Sequence, residues 1–222
     1  MGRVRHYVSK NGLKTSFDAV PEDQEGKAYI SRTICKRKMI KYSTKRSRIL
    51  FAGINPHPGS FDRGVPFSNN KLFWYLLSRA GLVEETIEDL RDDAKLRKIY
   101  REKFNQVYGL GLINIIDRPT RDITLLKKGE ELAGRKKIES VIKTQKPLVV
   151  CFIGKIAYEK YIGSKKFDFG WQDDIHASKI FVMHFPLRGE ATVRIRELRT
   201  VAAVSANEGA VGLLNDTNPR VG

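Results

Sequence analysis

Residues 48–54 read RILFAGI, a short apolar run that is rich in β-prone side chains and stops at Asn55-Pro56. A run of this length, closed by a turn signal, is typical of a buried strand. Three further runs of the same kind occupy residues 111–116, 148–153 and 179–183. Because helical patterns separate the runs, the sequence predicts a single α/β domain in which helices flank a central, mostly parallel four-stranded sheet.

The segments between these strands carry apolar residues at helical spacing. We predict helices over residues 70–80, 84–107, 129–144 and 190–204, with a short helix after Gly154. The second of these is densely charged, so we expect it to be exposed and allow a break within it. In the third, Leu132, Ile138, Val141 and Ile142 are expected to face the sheet.

The domain organisation follows from the same pattern. Residues 48–204 form the predicted folded domain, a size that suits one hydrophobic core. Residues 1–47 are predicted to be a basic extension, since residues 32–48 hold eight basic side chains and no acid. This extension either grips phosphates or is a solvated or targeting tail. Residues 205–222, rich in Gly, Asn and small side chains, are predicted to be a flexible tail.

Charge is the unusual feature of the composition. Lys and Arg total 41 against 25 acidic residues in a chain of 222, which gives a net charge of +16. A surplus of this size favours a polyanionic partner such as nucleic acid. A solvated basic surface is the alternative, and charge alone does not separate an enzyme from a binding protein.

Several classes of protein are disfavoured. No apolar run approaches the roughly 18 residues that span a membrane, and the first residues lack the apolar stretch of a secretory signal. We therefore expect an intracellular protein, in the cytoplasm and nucleoid or in the nucleus, that is monomeric and makes no membrane contact. The two cysteines, Cys35 and Cys151, form no CxxC pair, and the four histidines lack metal-ligand spacing, so we expect no disulfide framework, metal or cofactor.

Ligands of open α/β sheets bind at the carboxyl edge of the strands. The loops that follow the first, second and fourth strands, at residues 55–67, 117–124 and 184–191, are therefore where we expect the chemistry. Asn55 supplies an amide that both donates and accepts hydrogen bonds. Phe61 and Phe67 could stack on a flat ring, or could be packed aromatics in an ordinary strand-to-helix turn.

Three groups of motifs, in this order, resemble the mismatch-specific uracil-DNA and thymine-DNA glycosylases, a branch of the uracil-DNA glycosylase superfamily. The first group is GINP at residues 53–56, GVPF at 64–67 and FW at 73–74. The second is IDRPT at 116–120 and ELAGR at 131–135, and the third is GK at 154–155 with AYE at 157–159. The resemblance extends over about residues 48–204 and implies a uracil-DNA glycosylase-like fold.

The resemblance implies a role for individual residues. Asn55 matches the catalytic asparagine, which helps to place the attacking water, and Phe67 matches the aromatic residue that stacks on the extruded base. The remaining residues that the resemblance places around the base are Ile54, Ser60, Asn114 and Thr120. The loop at Leu187, Arg188 and Gly189 is implied to supply the wedge that enters the base stack and reads the guanine opposite.

Two departures from the family pattern affect the site. His57 replaces the glycine that usually follows the NP pair, where it could contact phosphate or the water, or face solvent. The fourth loop, MHFPLRG at residues 183–189, lacks the usual serine or asparagine. His184 in that loop could act as an electrophile toward the base oxygen, as histidine does in other branches of the superfamily, or be a packed structural residue. We assign no catalytic role to Asp62 or Asp117.

The predicted function is hydrolysis of the N-glycosidic bond of uracil, or of thymine or another damaged base, in a mismatch with guanine in double-stranded DNA. Such a reaction belongs to base excision repair. No lysine is an obvious Schiff-base nucleophile, so we expect a monofunctional enzyme without strand cleavage. Two alternatives remain open: a catalytically weak or inactive mismatch-binding protein on the same fold, and a basic RNA-associated domain.

Overall fold

Five strands form the central sheet in the computed structural model, which describes residues 40–216, with side chains through residue 206. They are β1 (Ile49–Gly53), β2 (Leu110–Asn114), β3 (Val149–Ile153), β4 (Gly170–Ile175) and β5 (Ser178–Met183). Their order across the sheet is β2-β1-β3-β5-β4, and every neighbouring pair is parallel except β4 with β5. The predicted α/β class, the four predicted strands and the mostly parallel sheet are confirmed.

Helices lie on both faces of this sheet. They are α1 (Pro58–Arg63), α2 (Leu72–Ala80), α3 (Ile87–Arg91), α4 (Asp93–Glu102), α5 (Glu131–Gln145), α6 (Lys155–Ile162) and α7 (Ala191–Asp216), with a 3₁₀ turn at Ile123–Leu125. The break allowed within residues 84–107 occurs at Asp92, which has an extended backbone and accepts the Lys95 N–H at 2.7 Å as the N-cap of α4. Within the described residues, no helix combines the length and apolar character needed to cross a membrane.

The fifth strand, β4, is the element that the sequence pattern did not reveal. Its residues GWQDDI alternate between half-buried and exposed and include two adjacent acids, unlike the fully buried β1, β2 and β3. Strand β4 lies at the sheet edge, where only one neighbour is available. Trp171 anchors it by packing its ring against Phe181 of β5, with centroids 4.9 Å apart.

Successive side chains of a strand point to opposite faces of the sheet, so the strands contribute to two separate hydrophobic cores. On one face, Ile49 and Phe51 of β1 pack with residues of α2, α4 and α7. On the other face, Leu50 and Ala52 pack with residues of α5 and α6. Because the sheet is covered on both faces, the carboxyl edge of the strands is left to carry a ligand site.

Helix α5 approaches β2 through a glycine rather than through the predicted leucine. A Cβ added to Gly134 would lie 1.6 Å from the Ile115 carbonyl oxygen, so only glycine fits this contact. The rotation that brings Gly134 to the sheet leaves Leu132 56% exposed, and the expectation that Leu132 faces the core is wrong. Ile138 and Ile142 are buried, as expected.

The ends of the predicted domain also differ from expectation. The last helix, predicted to stop at residue 204, continues to Asp216, because residues 205–216 contain several good helix formers and no proline. Residues 1–39 of the basic extension and residues 217–222 of the tail lie outside the described residues. Residues 40–47 of that extension pack on the domain: the Ser43 carbonyl accepts the Leu112 N–H of β2 at 3.2 Å, and Ile40 is buried.

Candidate active site

The loops that follow β1 and β2 are joined side by side beyond the strand ends. Three main-chain N–H groups of the second loop donate to carbonyls of the first: Ile115 to Gly53 (3.0 Å), Ile116 to Ile54 (2.8 Å) and Thr120 to Pro56 (3.1 Å). These bonds extend the β1–β2 register past the sheet. The first loop is therefore held rigidly at the point where Asn55 leaves the strand.

Asn55 has its side-chain amide fixed by this arrangement. Its Nδ2 atom donates to the Thr120 hydroxyl at 2.8 Å and lies 3.2 and 3.4 Å from the carbonyls of Pro56 and Arg118. Because carbonyl oxygens only accept, these contacts require the NH2 group rather than the oxygen on this side. The Oδ1 atom accepts no hydrogen bond from the described residues and is left as an acceptor for a ligand or water.

Thr120 supports Asn55 directly. Its hydroxyl accepts from Asn55 and donates to the Asp122 carbonyl at 2.8 Å, and the residue is 8% exposed. The Thr120 hydroxyl therefore acts as both a hydrogen-bond acceptor and a hydrogen-bond donor. Among the residues that the resemblance placed around the base, Thr120 acts in this structure through the asparagine.

Phe67 has a backbone conformation that is rare for an aromatic residue. Its φ angle is +55°, in the left-handed region that favours glycine. Its ring stacks at a tilt on Phe73, with centroids 4.5 Å apart, and Trp74 holds the preceding turn by donating from Nε1 to the Pro66 carbonyl at 2.8 Å. Backbone strain that the surroundings maintain in this way is often associated with function. The left-handed backbone of Phe67 places its half-buried ring beside the end of β1.

Asn114 lies at the end of β2, directly opposite Gly53 of β1. Its Oδ1 atom is 2.5 Å from the point where a Gly53 Cβ would lie, and Cζ of Phe67 is 4.0 Å from the same point. The amide and the aromatic ring thus share the space that the missing side chain leaves. Asn114 is 4% exposed, and its Nδ2 atom donates to the Tyr42 hydroxyl at 2.6 Å.

Ile54, Ser60 and His57 of the first loop serve its structure. The Ile54 side chain packs against the core on the α5 and α6 face of the sheet. Ser60 is 2% exposed, and its hydroxyl accepts the Asn69 N–H at 2.9 Å. The Nδ1 atom of His57 accepts the Gly59 N–H at 3.1 Å, which makes this histidine the N-cap of α1.

The second loop is closed by an ion pair. Arg118 donates to both carboxylate oxygens of Glu130 and to the Leu125 carbonyl, and its hydrogen bonds lower the pKa of Glu130 to about 2. The pair is therefore ionised throughout the neutral range. Asp117 pairs with Lys137 of α5 at 2.6 Å, and not with its neighbour Arg118.

His184 follows β5 and is oriented by a carboxylate from α7. Glu197 accepts the His184 backbone N–H at 3.0 Å through one oxygen and contacts the ring Nδ1 at 2.5 Å through the other. The imidazole also stacks on Phe169, with centroids 3.5 Å apart and an interplanar angle of 21°. With Nδ1 occupied by the carboxylate, Nε2 is the ring nitrogen left for a ligand. The packing of His184 against Phe169 therefore does not exclude the predicted role of this histidine as an electrophile toward the base oxygen.

Arg194 of α7 holds the loop that follows His184 through hydrogen bonds. Arg194 is 5% exposed, and its guanidinium donates to the carbonyls of Phe185 (3.3 Å) and Glu190. Gly189 has a φ of +75°, which favours glycine, and a Cβ there would lie 2.8 Å from Arg194 Nη2, so a side chain would also displace the guanidinium.

The tip of this loop is exposed. Leu187 is 44% exposed, and Arg188 is also exposed. The Thr124 backbone N–H is the main cause of a lowered pKa at Asp122, and the charge of Arg188 contributes to the same shift. Arg188 therefore lies near the loop that holds Thr120. An apolar side chain and an arginine at an exposed tip are suited to entering a base stack.

Two grooves on the described surface lie away from the candidate residues. Two surface grooves, of about 270 and 590 Å³, contain none of the candidate residues. The larger lies at the opposite edge of the sheet, around Arg48 and Gly109, which precede β1 and β2. Within the described part of the chain, no group of three or more His, Cys, Asp or Glu side chains could hold a metal ion.

Three residues near the site were not predicted from the sequence: Tyr42, Glu197 and Arg194. Each reaches the site from an element distant in sequence, and no local motif marks it. The only available signal was the three-residue spacing of Arg194 and Glu197, which places both on one side of α7. Tyr42 lay within the stretch interpreted as a basic extension.

A family model described as the uracil DNA glycosylase superfamily matches residues 40–195. The match covers most of the chain, begins at the segment that carries Tyr42 and contains the loops after β1, β2 and β5. The chain belongs to the uracil DNA glycosylase superfamily. The family assignment supports a DNA glycosylase that acts on uracil-like lesions, with DNA as its partner and hydrolysis of a base–sugar bond as its reaction.

Proposed function

We propose that this protein is a monofunctional, mismatch-type DNA glycosylase that hydrolyses the bond between uracil and deoxyribose opposite guanine. Thymine and other damaged bases are further candidate substrates, and base excision repair is the process served. The observation that carries the proposal is the state of Asn55. Its NH2 group is anchored by the second loop, and its Oδ1 atom remains available at the strand end that also carries Phe67 and Asn114.

The target base must leave the helix before it can reach these residues. Extrusion costs a few kcal/mol and costs least at a mismatch. Leu187 and Arg188 are exposed at the tip of a braced loop, where they can fill the gap left in the stack. Stacking of the base on Phe67 offsets extrusion by about 1–3 kcal/mol.

Cleavage breaks the N-glycosidic bond, and the base departs with the bonding electron pair. Positive charge develops on the sugar and negative charge on the base, so hydrogen-bond donors directed at the base oxygens lower the barrier. Water forms the new bond to C1′, and the proton that it loses is taken up by the departing base anion, so the products are the free base and an abasic sugar. We assign Asn55 Oδ1 the role of orienting that water, and the free Nε2 of His184 the role of polarising a base oxygen. The Glu197 carboxylate accepts from Nδ1–H and fixes the ring orientation, so Nε2 donates to a base oxygen when it carries a proton as well.

Asn55 is a neutral amide and therefore a weak proton acceptor. Most of the rate acceleration must come from preorganised electrostatics and from the strain of the bent DNA. Lys155, the lysine that directly follows Gly154 at this sheet edge, lies over the Phe169 ring and pairs with Asp168 at 3.3 Å. We propose attack by water rather than by an amine, which would make the enzyme monofunctional.

The test is single-turnover release of base from labelled duplexes that carry uracil opposite guanine, uracil opposite adenine, thymine opposite guanine or hypoxanthine opposite thymine. We expect fast release of uracil opposite guanine and slow release opposite adenine. Equal rates on the two uracil duplexes would support a uracil-DNA glycosylase but reject the proposed specificity for a mismatch with guanine. Binding without release from any duplex would favour the inactive mismatch-binding protein.

A further inference from the structure

The groove at the amino edge of the sheet has charge of one sign only. Its volume is about 590 Å³, and the charged side chains that line it are Lys45, Arg46 and Arg48, with no acid of the described residues among them. The smaller groove, of about 270 Å³, is lined by equal numbers of lysines and acids: Glu85, Asp89, Lys95, Lys98, Glu102 and Lys103. The larger groove, called the basic groove below, therefore attracts anions.

Arg48 is a fixed part of the basic groove. Its Nε atom donates to the Tyr108 carbonyl at 3.1 Å, and its Nη1 atom donates to the Ser205 hydroxyl at 2.6 Å. Burial lowers the pKa of Arg48, but an arginine stays charged at neutral pH. Because these hydrogen bonds already hold the guanidinium, contact with an anion costs little further side-chain entropy.

The other cations of this edge are accessible. Lys45 and Arg46 are exposed in the turn that leads into β1. Lys146 is exposed at the end of α5, just before β3, and lies at the same edge because β3 runs parallel to β1. The positive charge of the basic groove is thus continued along the edge of the sheet toward β3.

These features suit the phosphate backbone of a duplex better than a single strand. Cations that contact phosphates supply binding that does not depend on sequence. Proteins that bind single strands add aromatic rings on which the bases stack. The aromatic residue that lines the basic groove, Tyr108, is only 9% exposed, and its hydroxyl contacts the Glu85 carboxylate at 2.8 Å. The groove therefore offers phosphate contacts without a stacking surface.

Strand β1 separates the basic groove from the candidate active site. Arg48 directly precedes this strand, and Asn55 lies two residues beyond its end. A strand of five residues is about 16 Å long. Duplex DNA has a persistence length of about 50 nm, so a duplex at the carboxyl edge does not fold back over so short a distance to the amino edge. A duplex in the basic groove is consequently a different segment of DNA.

We propose that the basic groove is a second DNA-binding surface, which holds the phosphate backbone of one duplex while the carboxyl edge of the sheet engages another. The inference goes beyond the proposed glycosylase function, since it requires neither a mismatch nor cleavage. A protein with two such surfaces bridges two DNA segments and can pass from one to the other without leaving both.

The test compares the double variant Lys45→Ala/Arg46→Ala with Lys98→Ala/Arg101→Ala, which removes the same charge from exposed positions of α4. Bridging by the full chain is measured as energy transfer between two undamaged duplexes, one carrying a donor dye and the other an acceptor. We expect the wild type and the α4 variant to bridge, and Lys45→Ala/Arg46→Ala to bridge about 10-fold less or weaker still, as the loss of two phosphate contacts predicts.

Nuclear magnetic resonance locates the contact. A short undamaged duplex should shift the backbone amide signals of residues 45–48 and 106–109 in the wild type. The inference is overturned if these signals do not move, if only single-stranded DNA, RNA or inorganic tripolyphosphate moves them, or if the two double variants bridge equally well. Because undamaged DNA is used throughout, absence of base release from any duplex would count against the proposed function alone.

Discussion

Asn55 and Thr120 belong to loops that follow different strands, yet the Asn55 amide donates to the Thr120 hydroxyl at 2.8 Å. Replacing Thr120 with valine preserves the shape of the side chain and removes the acceptor. Loss of one positioning hydrogen bond is expected to slow single-turnover base release by about 10-fold, with little change in DNA affinity. Thr120→Ser, which retains the hydroxyl, should restore the rate. Equal rates for valine and the wild type would mean that Asn55 needs no such anchor.

Arg188 is predicted to read the base opposite the extruded one. Arg188→Ala should reduce release of uracil opposite guanine about 10-fold more than release opposite adenine, since a good arginine–guanine contact is worth about 1–3 kcal/mol. Arg121, an exposed arginine of the second loop, provides the matched control. Arg121→Ala is expected to weaken both reactions alike, as loss of a phosphate contact would. A uniform effect of Arg188→Ala would reduce it to a phosphate contact as well.

Glu197 is expected to matter through His184 rather than through the fold. Glu197→Gln keeps an acceptor for the His184 backbone N–H but removes the negative charge beside Nδ1. We expect about 10-fold slower release at unchanged DNA affinity and unchanged melting temperature. Glu190→Gln, which changes an exposed carboxylate just before the same helix, is the control. A normal rate in Glu197→Gln would leave His184 with a packing role only.

Gly134 tests the packing of α5 against the sheet. Gly134→Ala places a methyl group 1.6 Å from the Ile115 carbonyl oxygen, so helix and strand must separate. We expect a loss of about 2–3 kcal/mol in the free energy of unfolding and a fall of about 5–10 °C in Tm. Ser140→Ala on the exposed face of α5 should change stability by less than about 0.5 kcal/mol. An unchanged Tm in Gly134→Ala would show that the helix is not held at this distance.

The parallel sheet could be predicted because its strands are buried on both faces and therefore appear as continuous apolar runs. Edge strand β4 escaped prediction because a half-exposed strand containing Asp173 and Asp174 resembles a loop. The 56% exposure of Leu132 could not be predicted either. Periodicity identifies the apolar side of a helix, but it does not show that close contact at Gly134 turns Leu132 away from the core.

The candidate site was predictable where its residues belong to motifs that directly follow strands. Asn114 and Phe67 meet beside Gly53, two residues before Asn55, because parallel strands end at one edge. The residue types alone did not show that the Thr120 hydroxyl accepts a hydrogen bond from Asn55 and that the Ser60 hydroxyl accepts one from Asn69. That information depends on long-range packing, as does the approach of Tyr42.

The central claim is that the Asn55 side chain places the water that breaks the base–sugar bond. The most direct measurement is single-turnover release of uracil opposite guanine by Asn55→Ala and the wild type, with binding of each to the same duplex measured in parallel. We predict release that is slower by about 100-fold or more, at an affinity within a few-fold of the wild type. Normal turnover in Asn55→Ala would contradict the assignment of this residue and with it the proposed mechanism.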